Sequence, residues 1–192
     1  MAYDSAATKE RILIAAAEEF AAHGVAGARV DRISAAAKAN KRAIYDYFGD
    51  KKALFAAVLE RLMTDLAAAV PPRDDADLGA YAAALFDYHH AHPEALRLLL
   101  WEALEMGDDP VPDEQARTQH YLDKINAAEA ATGARDDDPR ALMFFTLGLV
   151  GWSLAMPQLR RMILGPDYTP DQLRAAVSSA VRALAGRSAS DK

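Results

Sequence analysis

Basic and hydroxyl-bearing side chains are concentrated in one segment of the N-terminal third, RVDRISAAAKANKRAIYDYFGDK. Lys41 and Arg42 are the residue types that donate hydrogen bonds to guanine O6 and N7 or to phosphate oxygens. Tyr45 and Tyr47 carry hydroxyl groups that can bond to a phosphate backbone. These residue types are therefore suited to binding a nucleic acid through its phosphates and base edges. A basic face that is simply exposed to solvent would have the same composition.

The apolar residues around these side chains predict two short helices joined by a turn. Ile33 on the first helix can pack against Ile44 on the second, which leaves the N-terminus of the second helix open. This is the arrangement of a helix-turn-helix, whose second helix enters a DNA groove. Three further basic residues extend this side of the motif: Arg29, Lys38 and Lys51. Lys51 lies in the first turn of the next helix, where a phosphate is favoured.

Capping residues delimit the predicted N-terminal helices. Thr8 is the predicted N-cap of the first helix, which is expected to end at Gly24. Asn40 precedes the second helix of the motif, and Asp50 precedes a long helix over about 51–69. Both side chains can accept hydrogen bonds from the amides at a helix start. The caps therefore predict a three-helix module followed by a long connecting helix.

Residues 8–62 resemble the N-terminal part of the TetR family of bacterial transcriptional regulators. The resemblance lies in TKERILIAAAEEFAAHG and VDRISAAAKANKRAIYDYFGDKKALFAAVLERL, which follow the family pattern element by element. The helix lengths, Gly24, the aromatic stretch YDYF and Lys51 recur at the family spacing. This chain departs from the pattern at Lys38 and Arg42, which stand where the family usually has glycine.

The resemblance implies roles for individual residues. Lys41, Arg42 and Ala43 would begin the recognition helix, Tyr45, Tyr47 and Lys51 would contact phosphates, and Arg29 would begin the helix that abuts the DNA backbone. Family membership also implies that the last two helices form a homodimer and that a cavity in the body binds a small-molecule effector. After residue 62 the resemblance is architectural, so it does not identify the effector.

The composition favours an all-α protein with a continuous core. Alanine accounts for 43 of the 192 residues, whereas the β-branched residues that strands favour are few. The absence of cysteine excludes a disulfide scaffold, a thiolate metal site and a thiol nucleophile. The net charge of −6 divides into +2 over residues 1–61 and −8 over residues 62–192. A basic-leaning module joined to an acidic body is therefore expected.

Prolines and acidic residues punctuate the rest of the chain into five further predicted helices. They span about 75–91, 93–105, 113–132, 139–164 with a break at Pro157, and 169–185. The predicted architecture is thus an all-α fold of about nine helices, a three-helix helix-turn-helix module on a larger helical body. Residues 1–50 are the expected DNA-binding domain, and residues 51–192 are the expected effector-binding and dimerisation domain.

Two aspartate clusters raise the alternative of a metal-dependent helical enzyme. Asp74, Asp75 and Asp77 form the first cluster, and residues 136–138 form the second. Both precede a predicted helix, where carboxylates cap amide groups and face the positive dipole end. The sequence also lacks a glycine-rich phosphate loop and a plausible catalytic triad. The clusters are therefore interpreted as caps, and neither an enzyme nor a resident cofactor is predicted.

Residues 141–159 carry no charge, but Pro157 interrupts the run and no basic cluster flanks it, so a membrane span is not predicted.

The last helix has an apolar stripe at i, i+3, i+4 spacing that begins at Leu173 and ends at Leu184. Two such helices can build a four-helix interface with a second copy, or the stripe can pack within the chain. The resemblance favours the homodimer.

Six side chains are candidates for an effector site: Phe86, His89, Trp101, Tyr121, Phe144 and Trp152. Large aromatics with a few polar groups line apolar ligand cavities, although these residues can equally fill a core. His89 and His92 are expected on the inner face of the fifth helix, with His90 pointing away. The three histidines cannot meet on one helix face, so no metal site is predicted. Glu102 is expected on a solvated face.

The sequence therefore predicts a ligand-responsive regulator of transcription, with a repressor as the expected form. Its expected partners are palindromic operator DNA, a second copy of the chain and an unknown small molecule. The N-terminal residues lack a secretory signal, so a cytoplasmic location is expected. The alternative is a helical small-molecule-binding protein or a metal-dependent helical enzyme, in either case without a DNA function.

Overall fold

The computed structural model describes residues 5–71, 77–132 and 138–186, whose regular structure is entirely helical. The ten helices of these residues are α1 (Ser5–Gly27), α2 (Val30–Ala36), α3 (Lys41–Phe48), α4 (Lys51–Ala69), α5 (Leu78–Ala91), α6 (Pro93–Met106), α7 (Glu114–Thr132), α8 (Pro139–Ala155), α9 (Pro157–Leu164) and α10 (Pro170–Gly186). The predicted all-α fold is confirmed. The tenth helix arises because the predicted break at Pro157 separates α8 from α9.

The first helix differs from its prediction at both ends. Thr8 is not the N-cap, because α1 begins at Ser5 and Thr8 is buried inside the helix with 1% of its surface exposed. The Thr8 hydroxyl accepts a hydrogen bond from Arg11 Nη2 at 3.1 Å. At Gly24 the backbone leaves the helical region (φ 66°, ψ 179°), and a final turn continues to Gly27. The predicted end at Gly24 is thus a kink.

The other predicted caps are present. The Asn40 side chain accepts from the amide of Arg42 at 2.9 Å, and Asp50 Oδ1 accepts from the amide of Ala53 at 2.8 Å. Asp77 and Asp138 cap α5 and α8 in the same way. One member of each aspartate cluster is therefore a cap, whereas Asp74, Asp75, Asp136 and Asp137 lie outside the described residues.

The chain divides into two compact units. The first comprises residues up to Leu66 together with Pro93–Asp113, and the second comprises Ala67–His92 and the residues from Glu114 onward. These units divide the chain by packing, whereas the predicted boundary at residue 50 divides it by function and stays a prediction. In the first unit α1 packs against α2 and α6, and α2 packs against α3. Its core includes Ile12, Phe20, Ile33 and Leu98, each no more than 1% exposed.

In the second unit α10 packs against α5 and α8, and α8 also packs against α5 and α7. Phe86, Val150 and Val181 are among its fully buried side chains. No single helix of the described residues is long and apolar enough to cross a membrane. Only α8 and α9 together reach that length and composition, and they are bent by 87° at the break between them.

Candidate nucleic-acid interface and ligand site

The predicted helix-turn-helix consists of α2 and α3. Ile33 and Ile44 are no more than 1% exposed, and they close the two helices on each other. Lys38 lies in the turn with a φ of 50°, a left-handed conformation in which glycine carries no steric cost. The turn thus adopts a conformation that favours glycine although the residue there is lysine.

The two basic residues that begin α3 have different surroundings. The Lys41 ammonium lies 2.8 Å from Asp31 Oδ1 on α2, and the hydrogen bond between them lowers the pKa of Asp31 and raises that of Lys41. The Arg42 side chain is 86% exposed, and its Nε lies 3.6 Å from Oδ2 of Asp46, one turn further along α3. Arg42 is therefore the more exposed of the two and pairs within its own helix, whereas Lys41 is tied to the neighbouring helix.

The other predicted contact residues of α3 lie at or near the surface. Tyr45 is 44% exposed, and Ala43 and Tyr47 are half-buried. The Lys9 ammonium lies 5.6 Å from the centroid of the Tyr47 ring. This cation–π contact joins α1 to α3 through Tyr47.

Lys51 has internal hydrogen-bond partners in this structure. Its ammonium donates to the carbonyl oxygens of Ala26 at 3.3 Å and Ala28 at 3.2 Å, where α1 ends. Two of its three donors thus satisfy carbonyl groups inside the module. The phosphate contact predicted for Lys51 stays a prediction, and it would have to use the remaining donor or exchange partners.

A residue that the sequence analysis missed positions the start of α2. Glu19 on α1 accepts from the amide of Arg29 at 2.8 Å and pairs with Arg32 at 2.6 Å, and the hydrogen bond from Arg32 lowers the pKa of Glu19. Arg29 itself is exposed. No pattern in the sequence distinguishes Glu19 from the adjacent Glu18, because the difference depends on where α2 lies.

The six predicted effector-site residues do not line one cavity. Phe86 and His89 are buried in the second unit, and Tyr121 is half-buried there. Trp101 belongs to the first unit, where its indole N–H donates to the carbonyl of Ala21 at 3.2 Å. Phe144 and Trp152 on α8 are 71% and 58% exposed.

His89 lies inside the body as predicted, with 6% of its surface exposed. Burial and, secondarily, the nearby His92 lower the pKa of His89 to about 4, so the imidazole is neutral at pH 7. No described residue forms a hydrogen bond with its Nδ1. The expectation for His92 is wrong, because His92 ends α5 with a non-helical backbone and is exposed. Glu102 is likewise not solvated, since only 7% of its surface is exposed.

A buried lysine in the second unit was also missed. Lys124 on α7 is 5% exposed, and its ammonium donates to the Tyr81 hydroxyl at 3.2 Å. Burial lowers the pKa of Lys124, and burial together with the nearby Tyr121 raises the pKa of Tyr81 to about 12. The predicted helix over 113–132 carries too few apolar residues for its inner face to be identified from periodicity.

A groove of about 470 Å³ runs between α5 and α10. Two ion pairs join these helices, from Arg174 to Asp87 at 2.6 Å and from Arg182 to Asp77 at 3.0 Å. None of the predicted effector residues lines this groove. In residues 5–71, 77–132 and 138–186, no three His, Asp or Glu side chains come close enough to hold a metal ion.

Comparison with known proteins matches both parts of the chain. Residues 12–58 match the model of bacterial regulatory proteins of the tetR family, and residues 77–183 match that of the tetracyclin repressor-like C-terminal domain. The chain is 44% identical to the HTH-type transcriptional repressor SCO4008 of Streptomyces coelicolor over 191 residues, which cover 97% of this chain and 99% of that protein.

Solved structures have the same fold. The transcriptional regulator SCO4942 of Streptomyces coelicolor superposes with a TM-score of 0.78 at 36% identity, covering 92% of this chain and 97% of that one. The structure of AibR in complex with isovaleryl coenzyme A and operator DNA superposes with a TM-score of 0.66 at 20% identity, covering 90% and 97% of the two chains. At 20% identity, the likeness to AibR shows a shared fold.

Proposed function

The chain belongs to the TetR family of bacterial transcriptional regulators, and we propose that it is a repressor that binds a palindromic operator as a homodimer and releases it when a small molecule binds. Members of this family are DNA-binding transcription factors and not enzymes. Repression is the activity in the name of the 44% identical relative. The regulator acts in the cytoplasm, where the bacterial chromosome lies.

The observation that carries the proposal is the exposed basic start of α3. This helix packs on α2 through Ile44, so its N-terminus projects from the module with the Arg42 side chain 86% exposed. An arginine fork in this position can donate two hydrogen bonds to one guanine. Arg42 is the proposed base-reading residue. Lys41 and Ala43 begin the recognition helix beside it. The proposed phosphate contacts come from Tyr45, Tyr47 and Lys51, with Arg29 and Lys38 on the same basic side.

A second copy of the chain is proposed to cover the exposed side of α8 and α10. Phe144, Gly148 and Trp152 follow one another at four-residue spacing on an exposed side of α8. A side-chain carbon added at Gly148 would meet nothing within 4 Å, so another helix can approach there. Part of the apolar stripe of α10 packs within the chain, and part of it is left exposed for a second copy. Its edge at Leu173, Val177 and Val181 is buried, and its edge at Ala176, Ala180 and Leu184 is exposed.

The proposed mechanism of release is a shift between two states of the dimer. The two recognition helices must reach half-sites about 34 Å apart, one turn of DNA. A ligand that binds better to a state with a different spacing weakens DNA binding by the same factor. A hundredfold release needs a coupling of only about 2.7 kcal/mol. Of the predicted ligand residues in the second unit, Phe86 and His89 are buried and Tyr121 is half-buried, whereas Phe144 and Trp152 are exposed.

Selection of bound fragments from random DNA, at two salt concentrations, tests the proposal. The dimer is expected to enrich a palindrome, and its affinity should fall steeply as salt rises because phosphate contacts release counterions. The double variant Lys41→Ala with Arg42→Ala should lose the selection and remain a dimer. Arg117→Ala, which removes an arginine from α7 in the second unit, is the matched control and should select the same palindrome. Failure of the wild-type dimer to enrich any sequence contradicts the proposal.

A further inference from the structure

Lys124 is the only lysine between residues 53 and 191, and it is buried. The ammonium of lysine is compact and strongly hydrated, so its burial is costly without a partner of opposite charge. Arginines on the surface of the same unit have such partners, since Arg174 pairs with Asp87 and Arg182 pairs with Asp77. A lysine retained inside this unit therefore requires a separate explanation.

The hydrogen bonding of Lys124 is incomplete within the part of the chain that the structure describes. An ammonium has three donors, and the Tyr81 hydroxyl at 3.2 Å is the one acceptor found there. The ammonium also lies 5.3 Å from the centroid of the Tyr81 ring. No carboxylate of the described residues forms a salt bridge with it. The site thus offers a cation and a neutral hydroxyl without an anion.

Tyr81 keeps its own proton available. It is 6% exposed, and its raised pKa of about 12 keeps the hydroxyl protonated at neutral pH. The hydroxyl accepts from Lys124 and can donate its proton to a second acceptor. Tyr121 is close enough to contribute to the raised pKa of Tyr81. The Lys124 ammonium and the Tyr81 hydroxyl are thus in contact, and a negatively charged oxygen beside them could accept a hydrogen bond from each.

We propose that Lys124 and Tyr81 hold the carboxylate of a small apolar acid, which is the effector of this regulator. The inference rests on the proposed function, since it assigns a chemical class to its effector. One buried cation matches one negative charge, which favours a carboxylate over a doubly charged phosphate monoester. Leu85, Phe86 and Met143 are buried apolar residues of the same unit, which favours an acid whose remainder is apolar.

Thermal unfolding of the full chain in the presence of octanoate tests the inference independently of DNA. Octanoate should raise the unfolding temperature of the wild type, whereas octanamide, its neutral counterpart, should not. Lys124→Met should weaken the response to octanoate by about tenfold or more, because the charge-assisted hydrogen bonds are lost. Tyr81→Phe should weaken it by a smaller factor and keep the core aromatic. Lys52→Met, which removes an exposed lysine from α4, should respond as the wild type does.

The outcomes separate this inference from the proposed function. If neither octanoate nor the shorter and aromatic probes butanoate and benzoate stabilise the wild type, the inference is overturned even when the protein selects an operator. An equal response to octanamide, or a full response in Lys124→Met, overturns it as well. If Lys124→Met does not fold, Tyr81→Phe and Lys124→Gln take its place in the comparison. A response to octanoate by a protein that selects no DNA keeps the inferred site and overturns the proposed regulator.

Discussion

Lys51 is a residue for which the sequence and the structure suggest different partners. Its ammonium donates to the carbonyl oxygens of Ala26 and Ala28, so Lys51→Met should lower the free energy of unfolding by about 1–2 kcal/mol. The adjacent Lys52 is exposed, and Lys52→Met should change the free energy of unfolding little. Urea denaturation of both variants at one protein concentration makes the comparison. Equal stability of the two variants would show that the carbonyl contacts do not stabilise the module.

The phosphate contact predicted for Lys51 has its own measurement. Each phosphate contact contributes roughly 0.9 to the slope of log K against log salt. If Lys51 contacts a phosphate in each half-site, Lys51→Met should reduce that slope by about twice this amount, roughly 1.8, because the proposed dimer carries two copies of the residue. A variant that binds more weakly with an unchanged slope would assign to Lys51 a positioning role alone.

His89 makes stability depend on pH. Its pKa is about 4 in the folded chain and about 6.5 in an exposed histidine, so the unfolded state binds more protons between these values. Stability therefore rises with pH, and it falls as the pH is lowered from 7 through 4. The change from pH 7 to pH 5 should cost about 2 kcal/mol.

The comparison with His89→Leu isolates this contribution to stability. The variant should lose less stability than the wild type between pH 7 and pH 5, because it lacks the imidazole that must remain neutral in the core. Urea denaturation at both pH values, at one protein concentration, gives the difference. An identical loss in the two proteins would mean that His89 is already protonated in the folded state or is exposed to solvent.

At the scale of the elements, the kink in α1 depends on one glycine. Gly24 has a φ of 66°, and a side-chain carbon there would lie 2.8 Å from the Trp101 ring. Gly24→Ala should therefore destabilise the chain by roughly 2–4 kcal/mol through backbone strain and overpacking. Gly27→Ala is the matched control, because Gly27 has no positive φ and its nearest neighbour would be His23 Cβ at 3.4 Å. Thermal or urea unfolding that gave similar losses for both variants would contradict this account.

Helix boundaries were more predictable from the sequence than side-chain partners. Asn40, Asp50, Asp77 and Asp138 cap helices through bonds to amides two or three residues away, so local spacing suffices to predict them. Helical periodicity likewise predicted that His89 lies on the inner face of the fifth helix, and His89 is buried. Thr8 was misassigned because its hydroxyl bonds to an arginine within the same helix instead of to an amide.

The missed positions depend on contacts between different helices. Glu19 accepts from Arg29 and Arg32 on another helix, and Lys124 donates to a tyrosine 43 residues away. Glu102 is buried, although its position in the sequence predicted a solvent-exposed side chain. In each case the burial or the partner of the side chain is determined by tertiary packing, which the periodicity along one helix does not reveal.

At the scale of the whole molecule, the exposed apolar residues are unevenly distributed. Phe144, Phe145 and Trp152 on α8, with Met162 and Ile163 on α9, are each at least 57% exposed in the single chain. A water-exposed set of large apolar side chains on adjacent helices is typical of an interface with another protein. In the proposed dimer these residues supply the buried apolar area, and the spacing of the two recognition helices depends on it.

Trp152→Glu tests whether operator binding depends on this interface. A glutamate buried in the interface has no partner of opposite charge there. A central tryptophan also often contributes much of the binding energy of an interface. The variant should sediment as a monomer at micromolar concentration, and its affinity for a selected palindrome should fall by at least tenfold. Leu104→Glu is the matched control, since Leu104 on α6 is 75% exposed, and this variant should remain a dimer with unchanged operator affinity. Analytical ultracentrifugation measures the first quantity and DNA titration the second. A dimeric Trp152→Glu variant would place the interface on another face, whereas a monomer that binds the palindrome with full affinity would separate operator recognition from dimerisation.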